Sequence, residues 1–201
     1  VSPLWWVAGG MVAFTLVETV TLGLWLTLVA GASVISAASA VGLGVLTLGL
    51  VLEHVLTDAT VNGLTVDVLP GGQVLGVSIS EALLWVLWLG VAQRLGGVDG
   101  ILVAGALLAV LLVPQHTVED NVLRGVSSFD TVVDLGTAGF SVLEALGATV
   151  WLLLVFEGEQ FSGLLAVLGL GGVGPAAVGL GALAVVLLVE HDIGVALARE
   201  G

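Results

Sequence analysis

Cysteine and lysine are both absent from this chain of 201 residues, and arginine occurs only 3 times. Without cysteine the protein can form no disulfide, no thiolate metal ligand and no cysteine nucleophile. The few basic residues, set against 16 acidic ones, give a formal net charge of −13. Because nucleic acids and anionic lipid headgroups are polyanions, such a chain has no charge-based affinity for either. The sequence therefore predicts no nucleic-acid partner.

Charged residues of either sign are also scarce, at 9% of the chain against 58% hydrophobic residues, and the mean hydropathy is +1.22. A soluble domain carries roughly 25% charged residues. A globule of 20.2 kDa has too little interior to bury so much apolar surface. Because the apolar character continues to the end of the sequence, a signal peptide followed by a soluble domain does not fit. We expect a multi-pass protein of the cell membrane, with the lipid bilayer as its solvent.

Six apolar segments are long enough to cross a bilayer, which takes about 20 helical residues. Turn residues separate them, for example Asn62-Gly63 and Gly96-Gly97. An even number of spans puts both termini on one side, and Arg124 and Arg199 on that side against Arg94 on the other favour cytoplasmic termini. The segments run over 4–30, 34–62, 68–95, 100–124, 131–156 and 173–199.

A threefold internal repeat organises these segments into three helical hairpins. Glu18, Glu81 and Glu144 lie 63 residues apart, and a tryptophan follows each of them by seven residues. The local strings FTLVE, VSISE and FSVLE align as well. A single hairpin buries too little surface, so we expect one domain, 1–201, with pseudo-threefold symmetry. The repeat units are 1–66, 67–129 and 130–201, and the third carries an insertion near 157–172.

The second helix of each hairpin carries a polar repeat of its own. His54, His116 and His191 are the only histidines, one in each unit. Polar residues precede them and follow them by four and eight positions, spacings that place side chains on nearby helix faces. These supporting positions are Glu53, Gln115 and Glu190, then Asp58 and Asp120 (Val195 in the third unit), and then Asn62, Arg124 and Arg199.

Helix rise places the glutamates and histidines at one depth. Each glutamate lies about fourteen residues into its helix, and each histidine lies eight to ten residues before the end of its own. Both positions are roughly 12–21 Å from the same membrane face. Three carboxylates and three imidazoles should therefore converge. One turn closer to that face, Thr15, Ser78 and Ser141 are expected to hydrogen-bond the carboxylates or to extend a polar path.

A recurring carboxylate inside a membrane favours a function. Its cost is roughly 2.5–3.5 kcal/mol on the gentlest scale, whereas an interhelical hydrogen bond contributes only about 0.6–2 kcal/mol. We expect a small transporter or channel for a proton, cation or small solute, rather than an enzyme, and no cofactor. Glu18, Glu81 and Glu144 would be the ion or proton sites and the histidines would share protons. Arg124 and Arg199 would compensate charge near the mouth.

Two other functions use the same polar residues. The first is a membrane enzyme or electron carrier in which His54, His116 and His191, with the three glutamates, bind a transition metal or haem. The second is a non-catalytic scaffold or partner subunit, in which the polar residues only hydrogen-bond helices together. A homo-oligomeric partner is left open. The lysine-free, acidic composition resembles that of proteins from extreme halophilic archaea, which says nothing about function.

The tryptophans of the repeat also have two possible locations. Trp25, Trp88 and Trp151 lie about 10 Å beyond the glutamates, toward the opposite face. We expect them to form an interfacial aromatic belt, which is where tryptophan is enriched in membrane proteins. A stacked constriction above the carboxylates is the alternative. Trp5 and Trp6 are expected to anchor the first helix at the interface.

Overall fold

The structure is a computed structural model that describes residues 4–33, 35–63 and 71–200, without the side chains of Leu4, Arg199 and Glu200. Every regular element in these ranges is helical. The helices are α1 (Leu4–Val29), α2 (Ala37–Asn62), α3 (Gly72–Leu95), α4 (Gly97–Leu123), α5 (Leu135–Phe156), α6 (Ser162–Val167) and α7 (Pro175–Glu200), with a 3-10 turn at Gly158–Phe161.

All helices except the short α6 are long and apolar enough to cross a membrane. The protein is therefore an all-helical, multi-pass membrane protein, and the six predicted segments are confirmed to within a few residues at each end. Large apolar side chains on the outer surface, such as Leu48, Val110 and Val185, are more than half exposed and suit contact with lipid. The predicted insertion near 157–172 contains the 3-10 turn and α6.

Local sequence sets several helix ends. Ser36 caps α2 by accepting a hydrogen bond from the Ser39 backbone N–H at 3.1 Å, and Asp134 caps α5 through the Gly136 N–H at 2.6 Å. The α3–α4 connection is very tight, since Gly96 and Gly97 have φ angles of 74° and 61°. Only glycine adopts such angles without strain, so the turn predicted from Gly96-Gly97 is confirmed.

The six long helices form a closed ring in the order α1, α2, α3, α4, α5, α7, and α7 packs back on α1. Glycines bring neighbouring backbones close together. A methyl group at Gly49 would overlap Thr21 of α1, and one at Gly105 would overlap Thr149 of α5. Close approach of this kind stabilises helix pairs in lipid, where no hydrophobic force holds them together. The helices α2, α4 and α7 also contact one another across the ring.

A layer of buried tryptophans fills one half of the bundle. Trp25, Trp88 and Trp151 are at most 2% exposed, and the rings of Trp88 and Trp151 stack with centroids 6.4 Å apart. Trp85 is fully buried and meets Trp88 edge to face. The prediction of an aromatic belt is therefore wrong. Seven residues are nearly two full turns of helix, so each tryptophan shares the inward face of its glutamate.

The predicted N-terminal anchors differ from this layer. Trp5 is 72% exposed, Trp6 is half-buried, and their rings meet edge to face with centroids 6.2 Å apart. Both lie in the first turn of α1.

We call the side of the bundle where α1, α3 and α5 begin the terminal face. The tryptophan layer, Trp25, Trp85, Trp88 and Trp151, lies toward the opposite face.

Candidate functional site

Three carboxylates from three different helices converge inside the ring. Glu18 of α1, Glu81 of α3 and Glu144 of α5 are 3%, 6% and 1% exposed. Each offers an oxygen atom, and these atoms all lie within 4.8 Å of one another. The expected position, about fourteen residues into each helix, holds for Glu18, whereas α3 and α5 begin later than predicted and Glu81 and Glu144 lie about nine residues into theirs.

A histidine from the neighbouring helix faces each of these carboxylates. His116 Nε2 lies 3.0 Å from Glu144 Oε2. His191 Nε2 lies 3.3 Å from Glu18 Oε2, and His54 Nε2 lies 3.5 Å from Glu81 Oε2. Each contact joins the second helix of one pair to the first helix of the next: α2 to α3, α4 to α5, and α7 to α1. We call these six residues the Glu–His cluster.

The hydroxyl residues contact the histidines instead of the carboxylates. Thr15 Oγ1 lies 2.8 Å from Nδ1 of His191, and Ser141 Oγ lies 2.8 Å from Nδ1 of His116. Ser78 Oγ lies 3.2 Å from His54 Nδ1. The prediction that these hydroxyls bond the carboxylates is therefore wrong for the described residues, and their role in a polar path stays a prediction. Hydroxyl and carboxylate are three residues apart on one helix face, and the imidazole of the next helix spans both with its two nitrogens.

The hydrogen-bond partners of His54 and His116 show which ring nitrogen carries the hydrogen. The Ser141 hydroxyl donates to the Thr137 carbonyl oxygen at 2.7 Å, so its oxygen accepts the N–H of His116 Nδ1. His54 Nδ1 lies 2.7 Å from the Leu50 carbonyl oxygen, which can only accept. In both residues Nδ1 therefore carries hydrogen. Nε2 is the nitrogen that faces the repeat glutamates Glu81 and Glu144.

Three more carboxyl groups surround the cluster. Glu53 accepts a hydrogen bond from Thr57 Oγ1 at 2.7 Å, and its other oxygen lies 3.0 Å from His54 Nδ1. Glu190 Oε2 lies 3.2 Å from His191 Nε2. Glu119 Oε1 lies 3.6 Å from His54 Nε2. Glu53 and Glu190 directly precede a histidine, and Gln115 is the residue at that position in the second unit. Its Nε2 donates a hydrogen bond to the Val77 carbonyl oxygen of α3 at 3.0 Å.

Glu119 is a site residue that the repeat pattern did not reveal. It lies one helical turn after His116, and that spacing is the signal that could have found it. The equivalent positions in the other two units are Thr57 and Gly194, neither of which is acidic. Glu119 is therefore not one of the residues that the three units share. Its side chain is 20% exposed, more than those of the repeat glutamates.

Asp58 and Asp120, the supporting positions four residues after His54 and His116, bond to residues other than these histidines. Asp58 accepts a hydrogen bond from Asn62 Nδ2 at 2.8 Å, and Asp120 forms an ion pair with Arg124 at 2.9 Å. Both aspartates lie one turn closer to the terminal face than the histidines, where partially exposed partners are available. Arg124 thus lies at the rim. The predicted supporting side chain of Arg199 lies outside the described residues.

A cavity connects the cluster to the terminal face in the part of the chain that the structure describes. A cavity of about 140 Å³ contacts His116, Glu119 and His191 and extends to Asp120 and Arg124 at the terminal face. A cavity of about 390 Å³ on the opposite side contacts Trp25 of the tryptophan layer and none of the cluster residues. Buried leucines add to the closed half of the bundle, among them Leu22, Leu46, Leu50, Leu108, Leu152 and Leu183.

The fold and site define a multi-pass helical membrane protein with a buried cluster of carboxylates and imidazoles open to one face. Comparisons with protein-family models, curated proteins and solved structures give no match to the chain. The geometry of the cluster is therefore the only guide to function, since a fold by itself does not determine one.

Proposed function

We propose that this protein is a small membrane transporter that binds a proton or a small cation at the Glu–His cluster. One observation carries the proposal: the excess of carboxylates over basic groups. Six carboxyl groups surround three imidazoles, so six ionised carboxylates would leave negative charge uncompensated even with every imidazole protonated. The groups are Glu18, Glu53, Glu81, Glu119, Glu144 and Glu190 around His54, His116 and His191.

No described guanidinium offsets this charge at the centre. Arg124 is paired with Asp120 at the rim, and its side chain is 34% exposed. Unpaired charge inside a membrane protein is costly, which is why intramembrane carboxylates pair, protonate or bind ions. The cluster must therefore take up protons or cations to be stable. Reversible uptake at mid-membrane is the chemistry that a proton or cation transporter needs.

The one-sided cavity favours a carrier over an open channel. Water can approach Glu119 and the cluster from the terminal face, whereas the tryptophan layer separates the cluster from the opposite face. Alternating access requires such a closed state, in which a central site opens to one side at a time. Release to the opposite side would then require Trp25, Trp88 and Trp151 to move apart.

The three equivalent His–Glu contacts support a three-hairpin, pseudo-threefold organisation of the transporter. Each one joins the second helix of one unit to the first helix of the next, with units 1–66, 67–129 and 130–201. Glu18, Glu81 and Glu144 would bind the cargo, and the histidines would exchange protons with them. With cytoplasmic termini, the 140 Å³ cavity would open to the cytoplasm of a cell-membrane protein.

Flux measurements in reconstituted vesicles test this proposal. Wild-type protein should move protons or a small cation down an imposed gradient, and the Glu81→Gln/Glu144→Gln double variant should fold but lose that flux. Glu159→Gln is a matched control, because Glu159 is exposed in the turn after α5. Equal flux in the wild type and the double variant would contradict the proposal.

A metal-binding membrane enzyme or electron carrier is the second candidate. It is favoured by ligand distances, since Glu53, His54 and Glu81 each offer an atom within 4.8 Å of the others. Because all three histidine Nε2 atoms face carboxylates, the arrangement suits a metal ion better than axial ligation of haem. A visible absorption band that follows a redox change would support this candidate.

A further inference from the structure

We propose that the cation held by the cluster is a divalent metal ion, bound at two adjacent positions that share Glu81. This inference rests on the proposed function and names the class of cargo. The first position is formed by Glu53, His54 and Glu81, and the second by Glu18, Glu81 and Glu144.

Interatomic distances fit both positions. The ligand atoms of each set lie within 4.8 Å of one another. Divalent ions bind oxygen and nitrogen at about 2.0–2.6 Å, so atoms on opposite sides of one ion are separated by about twice that distance. Glu81 belongs to both sets, and its carboxylate can bridge two ions while Oε1 also accepts a hydrogen bond from Trp85 Nε1 at 3.1 Å. In two-metal sites the ions lie about 3.5–4 Å apart.

Each position also contains a buried ligand atom that has no hydrogen-bond partner. These atoms are His54 Nε2 in the first position, and Glu18 Oε2 and Glu144 Oε1 in the second. Of the three, Glu18 Oε2 lies 3.3 Å from His191 Nε2, but the contact does not have hydrogen-bond geometry. The three residues are 4%, 3% and 1% exposed. Buried polar atoms are nearly always hydrogen-bonded or bound to a metal, because desolvation without a partner costs free energy. These atoms point to ligands at both positions.

The hydrogen bonding of His54 suits a metal ligand. Its Nδ1–H donates to the Leu50 carbonyl oxygen at 2.7 Å, which fixes the tautomer and leaves a lone pair on Nε2. Metal-binding histidines usually donate their second ring N–H in this way. Nε2 also lies 3.6 Å from Glu119 Oε1, and Glu119 lines the cavity that opens to the terminal face. Glu119 thus links that cavity to the first position.

The ligand types narrow the class of ion. Both positions are rich in carboxylate oxygen, and the first adds an imidazole nitrogen. Mixed oxygen and nitrogen ligands suit Mn²⁺, Fe²⁺ and Zn²⁺, and the absence of cysteine removes the thiolates that favour Cu⁺. Mn²⁺ binds well to carboxylates and is paramagnetic, so it is a suitable probe.

Metal stoichiometry tests the two positions separately. The full-length protein in detergent is stripped with a chelator, dialysed against Mn²⁺ and measured by elemental analysis and electron paramagnetic resonance. We expect about two Mn²⁺ per chain with a spin-coupled spectrum. Glu81→Gln should lose both ions, whereas His54→Gln and Glu144→Gln should each lose one. Glu159→Gln should keep both. Elution volume and helical circular dichroism establish that each variant is folded.

The outcomes separate this inference from the transport proposal. No binding of Mn²⁺ or Zn²⁺ to wild-type protein that still moves protons would overturn the metal sites and leave a proton transporter. One ion, lost equally in His54→Gln and Glu144→Gln, would overturn the shared pair of positions. Two ions with the predicted variant pattern, in a protein without flux of any cation, would support the sites and contradict transport.

Discussion

His116 and Glu144 form the shortest of the three contacts between a histidine Nε2 and a repeat glutamate, at 3.0 Å. The contact joins α4 to α5, and the opposite side of the imidazole is held by Ser141 at 2.8 Å. Glu144 itself is 1% exposed. The imidazole is therefore the main described partner of a carboxylate that is almost completely buried.

Loss of this imidazole should destabilise the protein strongly. His116→Ala leaves the Glu144 carboxylate buried without its partner, and we expect the free energy of unfolding to fall by about 3 kcal/mol. The His116→Ala/Glu144→Gln double variant should recover part of that loss, because it removes the unpaired charge. Val110→Ala on the same helix is the control, since Val110 is 68% exposed on the outer surface. Unfolding in mixed detergent measures all three, and equal effects of His116→Ala and Val110→Ala would contradict the pairing.

Two glycines of α2 provide a matched test of helix packing. A methyl group at Gly49 would overlap Thr21, whereas nothing lies within 4 Å of one at Gly44. Gly49→Ala should lower the free energy of unfolding by about 1–3 kcal/mol through overpacking. Gly44→Ala should leave it unchanged or raise it by up to about 1 kcal/mol, since alanine favours helix. Indistinguishable stabilities of the two variants would show that α1 and α2 do not approach each other at Gly49.

The absence of cysteine allows access to be mapped with single introduced thiols. Gly194→Cys, in the cavity beside the cluster, should react with a membrane-impermeant maleimide from the terminal face only. Gln93→Cys should react from the opposite face only, and Leu50→Cys, in the buried apolar half, should not react from either. Labelling is read by mass shift in right-side-out and inverted vesicles. Reaction of Leu50→Cys from either face would contradict a closed apolar half.

Much of the fold follows from the sequence because a bilayer constrains each segment separately. A membrane span must satisfy its own backbone hydrogen bonds, so apolar length alone identifies the helices. The convergence of Glu144 with His116 follows in the same way, since helix rise fixes the depth of a residue once its helix end is known. Neither inference requires knowledge of which helices are neighbours.

The contacts that depend on neighbours could not be predicted. Ser141 binds His116 and not Glu144 because the rotation of α4 brings the imidazole between them. Asp120 pairs with Arg124 since both lie at the rim, although its spacing also placed it near His116. Such choices depend on helix rotation and on the order of the ring, which sequence spacing does not determine.

Two further differences between the sequence predictions and the structure concern single residues. The usual location of tryptophan predicts Trp88 at the lipid interface, but its helix phase relative to Glu81 places it inside. The repeat does not predict Glu119, because only one of the three units carries an acid at that position. Residue statistics give the usual location of tryptophan, and the repeat gives the residues that the units share. The site also contains residues that follow neither rule.

The three repeat carboxylates should act together as a cation site, and flux through single variants measures this. Glu18→Gln, Glu81→Gln and Glu144→Gln are each reconstituted in vesicles beside the wild type and Glu159→Gln. A charge-assisted contact contributes about 1.5–3 kcal/mol, so each single loss should reduce flux about tenfold or more at 1.4 kcal/mol per decade. Glu159→Gln should match the wild type. Wild-type flux in all three single variants, with lowered thermal stability alone, would contradict the account and identify the cluster as interhelical hydrogen bonding.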